Sequence, residues 1–161
     1  MNEISNDICN NFVEADILKY MNCKHPTFGQ ALWKILDWKE MSVKDLSEKC
    51  YLSTGQIYRY LRDEIRFIQI ETVISFCVGL DVSPSISKVL IDLADCGNAF
   101  DKSHLSYIYK FIIKHAREWT LDDVNEYIDT LNEASGIDGG WLDYYPNEKS
   151  YQRHLKTVQE G

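Results

Sequence analysis

Apolar residues along this chain recur three and four positions apart, and short polar caps separate one run from the next. That spacing is the signature of amphipathic helices. Ile4, Ile8, Phe12, Ala15, Leu18 and Tyr20 predict a helix over residues 3–22, ending before Lys24-His25-Pro26. Phe28, Ala31, Leu32, Ile35 and Leu36 give the next one its core face, and Val43, Leu46 and Cys50 the third. Ile57, Tyr60 and Leu61 follow, then Ile70, Val73, Ile74, Cys77 and Val78, then Ile86, Val89, Leu90 and Leu93, with Gly97 as a stop. Leu105, Ile108, Phe111, Ile112 and His115 mark a further helix, and Leu121, Val124, Ile128 and Leu131 the last, stopped by Gly136. Thr27 with Gln30, Ser42 with Asp45, and Ser53 with Gln56 have capping-box spacing. Thr120 with Asp123 is a similar pair, and Ser83-Pro84 supplies a cap with proline at the first helical position. The fold class is all-α.

Residues 42–66, SVKDLSEKCYLSTGQIYRYLRDEIR, read as two short helices joined by Tyr51-Leu52, a connector that allows only a sharp turn. Two helices so joined form a helix-turn-helix, whose second member can lie in a DNA major groove. The second of these two helices ends Leu61-Arg62-Asp63-Glu64, with no glycine for a left-handed cap.

The segment from about Thr27 to Asp95 resembles the lambda-repressor-like, or Xre/Cro-type, helix-turn-helix family. The likeness runs through FGQALWKIL, MSVKDLSEKC, LSTGQIYRYLRDE, IETVISFCVGLDV and SPSISKVLIDLA. The resemblance implies a five-helix lambda-repressor-like domain over 26–98. The apolar spacing adds an N-terminal helix within 1–25 and a C-terminal helical hairpin over 99–136. Neither hairpin helix can bury its apolar face alone, so the pair must dock on the motif domain or on a partner. Residues 137–161 form a glycine-broken, aromatic tail, loose or ordering on contact; its Trp141, Tyr144, Tyr145 and Tyr151 are types that anchor interfaces.

Charge qualifies the picture. The formal net charge is -8, awkward for a partner of nucleic acid, whose affinity leans on phosphate neutralisation. The acids concentrate in the two flanks, however, and the motif itself is nearly neutral, with Arg59, Arg62 and Arg66 in or just beyond its second helix. Five cysteines without paired spacing suggest free, largely buried thiols in a reducing cytoplasm. No metal ligand set or cofactor motif is present, and the four histidines are scattered, so neither a metal nor an enzyme is expected. No spanning stretch is expected either, so the protein is read as soluble and cytoplasmic, without a membrane partner.

On the second helix of the motif, Thr54, Gln56, Tyr58 and Arg59 are the candidate base contacts. Gln56 has the geometry for adenine N6/N7, and Arg59 for guanine O6/N7 or a phosphate. Lys44, Lys49, Ser53, Gly55, Arg62 and Arg66 are the candidate phosphate contacts; Lys34 and Lys39 are further basic candidates that would position without specifying. Gly55 permits close approach at a helix start, where the dipole favours an anion. Trp33 and Trp38 lie off the main apolar stripe and read as packing residues. The expected function is a DNA-binding transcriptional regulator, and the resemblance implies a bacterial or phage repressor. Double-stranded DNA is the expected partner, met by a homodimer at half-sites about 34 Å apart. The other reading is a protein-interaction module on the same scaffold, antitoxin-like or anti-repressor, with a protein partner held by the hairpin and tail.

Overall fold

The computed structural model describes residues 14–135, which contain helices and no strand. α1 (14–24) leads into α2 (Phe28–Trp38), α3 (Val43–Cys50), α4 (Thr54–Leu61), α5 (Ile70–Leu80) and α6 (Pro84–Leu93). A short α7 (Gly97–Lys102) precedes α8 (Ser106–Lys114) and α9 (Leu121–Ser135).

Local chemistry explains where these helices start. Thr27, Ser42 and Ser53 each accept the backbone N–H three residues on, and Gln30, Asp45 and Gln56 return the bond to the cap's own N–H. Ser83 accepts from Ile86 N just ahead of Pro84. Helix ends use another device: Tyr51, Asp63, Asp81 and Asp95 all take positive φ, 56–58°, without being glycine.

α5 is the central helix, buried from Val73 to Leu80. Leu32, Ile35, Leu46, Ile57, Ile74, Phe76, Leu80, Ile86 and Leu90 are fully buried around it. Phe76 carries Tyr60 edge-on at 5.2 Å and Phe28 at 6.0 Å, joining α2, α4 and α5 through one aromatic cluster. Gly79 lets α5 approach α3: a Cβ there would lie 3.2 Å from Cys50 Cβ and 3.3 Å from Leu46 Cδ1. Burial pushes the Cys50 thiol up to about 11 and Cys77 to about 12, so both act as small apolar groups.

α8 and α9 dock on the same centre, through Ile108, Ile112, Val124 and Ile128. Tyr109 donates to Glu71 on α5 at 3.3 Å, and Tyr51 in the α3–α4 turn donates to Asp122 on α9 at 3.1 Å. α1 is held at its start by Glu14, which accepts from Ser83 and, at 3.2 Å, from Arg117.

Three local expectations change. In α1 the buried residues are Ile17 and Met21, while Ala15 is exposed, because the helix meets the core along the 17–21 ridge. Gly97 does not stop α6; that helix ends at Leu93 through left-handed Asp95, and Gly97 opens α7. On α8 the core takes Tyr109 and Ile113 beside Ile108 and Ile112, leaving Phe111 39% exposed. Ile4, Ile8, Phe12, Gly136 and the tail aromatics lie outside the described residues.

Candidate nucleic-acid interface

The site is built by the turn between α3 and α4. Tyr51 makes it sharp, at φ 57°. Leu52 then enters the core at 8% exposure, and the Ser47 hydroxyl donates to its carbonyl. α4 is left lying on α2 and α3 by one stripe, Ile57 and Leu61, both buried.

Everything else on α4 except half-buried Tyr60 faces out: Thr54, Gly55, Gln56, Tyr58 and Arg59 are exposed, as is Arg62 at the C-cap. The Gln56 carbonyl oxygen accepts from Ser53 N at 3.1 Å and from the Ser53 hydroxyl at 3.2 Å. Its amide NH2 takes no part in the cap. Tyr58 is 40% exposed and lies 6.5 Å from the ring of Trp33, itself 47% exposed, so Trp33 flanks the face rather than the core. Gly55 stands in open space, its nearest neighbour for an added Cβ being the Ser53 hydroxyl at 4.0 Å. The fold does not require glycine there. Glycine inside a helix costs about 0.5–1 kcal/mol relative to alanine.

Beyond α4 the chain turns at Asp63 and runs to Gln69. Glu64 gathers the two arginines: Arg62 Nε donates to it at 2.7 Å and Arg59 Nε lies 3.9 Å away. The Arg62 hydrogen bond holds the Glu64 carboxyl below its ordinary range and raises Arg62 in turn. All three side chains are about half exposed, so the pairing is weak and exchangeable. Arg66 is exposed on the same loop, next to Phe67, which is 86% exposed.

The structure does not bring all the basic candidates together. Lys44 is exposed at the start of α3. Lys34 sits over the Tyr20 ring of α1 at 5.1 Å. Lys39 donates to the Asp81 carbonyl at the end of α5, and burial lowers its pKa. Lys49 lines a cleft of about 400 Å³ with Tyr51, Arg117 and Trp119. These three therefore serve other faces than α4.

The far end of α4 is locked by a contact that the periodic pattern did not show. Asp63 accepts from the Thr27 hydroxyl at 2.6 Å and from Gly29 N at 2.9 Å. A Cβ on Gly29 would meet the carbonyl oxygens of Leu61 at 2.5 Å and Tyr60 at 2.7 Å. The N-terminus of α2 thus abuts the C-terminal carbonyls of α4, a favourable meeting of opposite dipole ends. The one signal in the sequence was a lone glycine in the first turn of a helix.

A turn of this kind, with one buried stripe and an outward polar face, has a match among known families. Residues 31–85 match the family model of the Cro/C1-type HTH DNA-binding domain. The match covers less than half of the chain and is a similarity to that family. The match begins inside α2 and ends just inside α6, so the whole Cro/C1-type turn and its outward helix fall within it. A Cro/C1-type domain supports a DNA-binding regulator. No curated protein and no solved structure matches the chain significantly. Among the described residues no helix is long and apolar enough to cross a membrane.

Proposed function

We propose that this protein is a sequence-specific regulator of transcription, a repressor of bacterial or phage type that acts in the cytoplasm by occluding its operator. The observation that carries the reading is the division of α4, whose Ile57 and Leu61 are buried while Thr54, Gly55, Gln56, Tyr58 and Arg59 face solvent. In the groove, Thr54, Gln56, Tyr58 and Arg59 meet base edges. Ser53, Gly55, Arg62, Arg66 and Lys44 take phosphates at the helix start and along the loop. Lys49, in its cleft on the other flank of α3, is left out of that set. Phosphate oxygens replace the Glu64 carboxylate at Arg62 and Arg59, an exchange of one anion for another. A homodimer presents two such helices to half-sites about 34 Å apart.

Selecting binding sites from random duplex with the purified full chain tests this. Enrichment of one short motif is expected, with affinity that falls steeply as salt rises. Arg59→Ala should lose about 1–3 kcal/mol of specific binding while thermal unfolding stays put. Gln56→Ala should lose a similar amount of binding together with some stability, because its carbonyl oxygen also closes the capping box at Ser53. A second reading, an adaptor that binds protein, draws on the exposed rings of Trp33, Tyr58 and Phe67 around arginines already paired to Glu64. Failure to enrich any duplex would replace the first reading with the second.

A further inference from the structure

α8 and α9 leave a seam of aromatic rings at the surface. Phe111 stacks on Tyr127, centroids 4.9 Å apart and planes 21° apart, and His115 stacks on Trp119 at 4.9 Å and 16°. Phe111 also lies 5.6 Å from Trp119, and Trp119 lies 5.4 Å from Tyr127, so the rings form one connected group. Tyr107 extends the row one turn back along α8, and it is 55% exposed. The inner faces of the two helices are filled by Ile108, Ile112, Val124 and Ile128, all at 0%; Trp119 and Tyr127 pack partly against that core, while Tyr107 and Phe111 lie outside it. Exposed Tyr107 and Phe111, backed by the half-buried rings of His115, Trp119 and Tyr127, make an aromatic surface of the kind that marks a contact.

The two edges of the seam carry opposite charge. Three- and four-residue spacing places Lys114 and Lys110 beside Tyr107 and Phe111 on α8, and Asp123 beside Tyr127 on α9, with Glu126 on the next row out. All four are exposed. A face that is basic along one edge and acidic along the other complements itself when turned about a two-fold axis. In such an isologous contact each residue meets its counterpart's partner, and the reverse meeting occurs in the same interface. We infer that this seam is where two copies of the chain pair. Tyr107 and Phe111 of each copy pack against the rings of the other, and Lys114 of each meets Glu126 of the other. This deepens the homodimer proposed above without resting on DNA binding. α4 packs on α2 and α3, outside the seam, so loss of pairing and loss of DNA reading are separable.

Sedimentation velocity of the full chain over a concentration series is the test, with far-UV circular dichroism confirming that each variant is folded. The natural chain should sediment as a dimer. Tyr107→Glu and Lys114→Glu should each raise the dimer Kd by roughly tenfold or more. Lys110 already pairs with Asp101 at 3.5 Å, so Lys114 is the cleaner probe. Adding Glu126→Lys to Lys114→Glu restores opposite charges across the two-fold and should return the Kd close to its natural value. Any of three results overturns the proposal: a monomer at about 100 μM, where even a weak specific pair associates; a dimer indifferent to Tyr107→Glu; or a charge swap that fails to rescue a folded variant. Loss of pairing with DNA binding intact would leave the Cro/C1-type reading standing, and the converse would leave the seam standing.

Discussion

The two ends of α4 are built on opposite principles. At its C-terminal end backbone meets backbone: Gly29 leaves no room for a methyl group against the Tyr60 and Leu61 carbonyls, and Asp63 ties the junction to Thr27 and Gly29. At its N-terminal end a Cβ added to another glycine, Gly55, would meet nothing closer than the Ser53 hydroxyl at 4.0 Å. The first glycine is required by close packing; the second is not required by the fold. A helix clamped at one end and bare at the other can present its first turn to a partner without moving, and that is the geometry a groove reader requires.

Four substitutions probe that contrast. Gly29→Ala should have the largest effect, because a Cβ at 2.5 Å from a backbone oxygen forces α2 and α4 apart; a loss of about 3 kcal/mol in urea unfolding is expected. Asp63→Ala removes two hydrogen bonds and leaves the Gly29 N–H at the junction unanswered, which should cost about 2 kcal/mol in the same measurement. At the bare end the sign reverses. Gly55→Ala should stabilise the fold by about 0.5–1 kcal/mol yet weaken duplex binding by fluorescence anisotropy, and unchanged binding would remove Gly55 from the contact surface. The smallest effect is expected for Glu64→Gln, which releases Arg59 and Arg62. Affinity for non-specific duplex should rise a few-fold, with a salt slope steeper by about one. The same pairing gives a pH signature with a defined sign. The Glu64 pKa is depressed by Arg62, so the pairing is present above the ordinary carboxylate range and lost as pH falls through the depressed value. Non-specific binding at low pH should therefore converge for the natural chain and the variant.

Much of the region from α2 to α6 was legible because its devices are local. Three capping boxes span four residues each, and all three are formed. Ile57 and Leu61, one turn apart, were placed inward by spacing alone, and they are. The α8 face was harder to read, since Phe111 and Tyr109 are both aromatic and only the position of α5 decides which is buried. The charge of the site was harder still. Lys34, Lys39 and Lys49 look alike along the chain, yet each ends on a different neighbour: Tyr20, the Asp81 carbonyl, and the cleft by Arg117.

By itself the sequence determined most of the helical segments though not α7, where most of them begin, and which side chains of α4 point inward, because caps and apolar stripes act within one or two turns of chain. Only the tertiary structure decided what the outward residues meet. The Asp63 clamp joins residues 34 and 36 apart, and the Tyr51–Asp122 bond joins residues 71 apart. Contacts over such distances depend on how helices pack, and a periodic pattern records only which face of each helix is greasy.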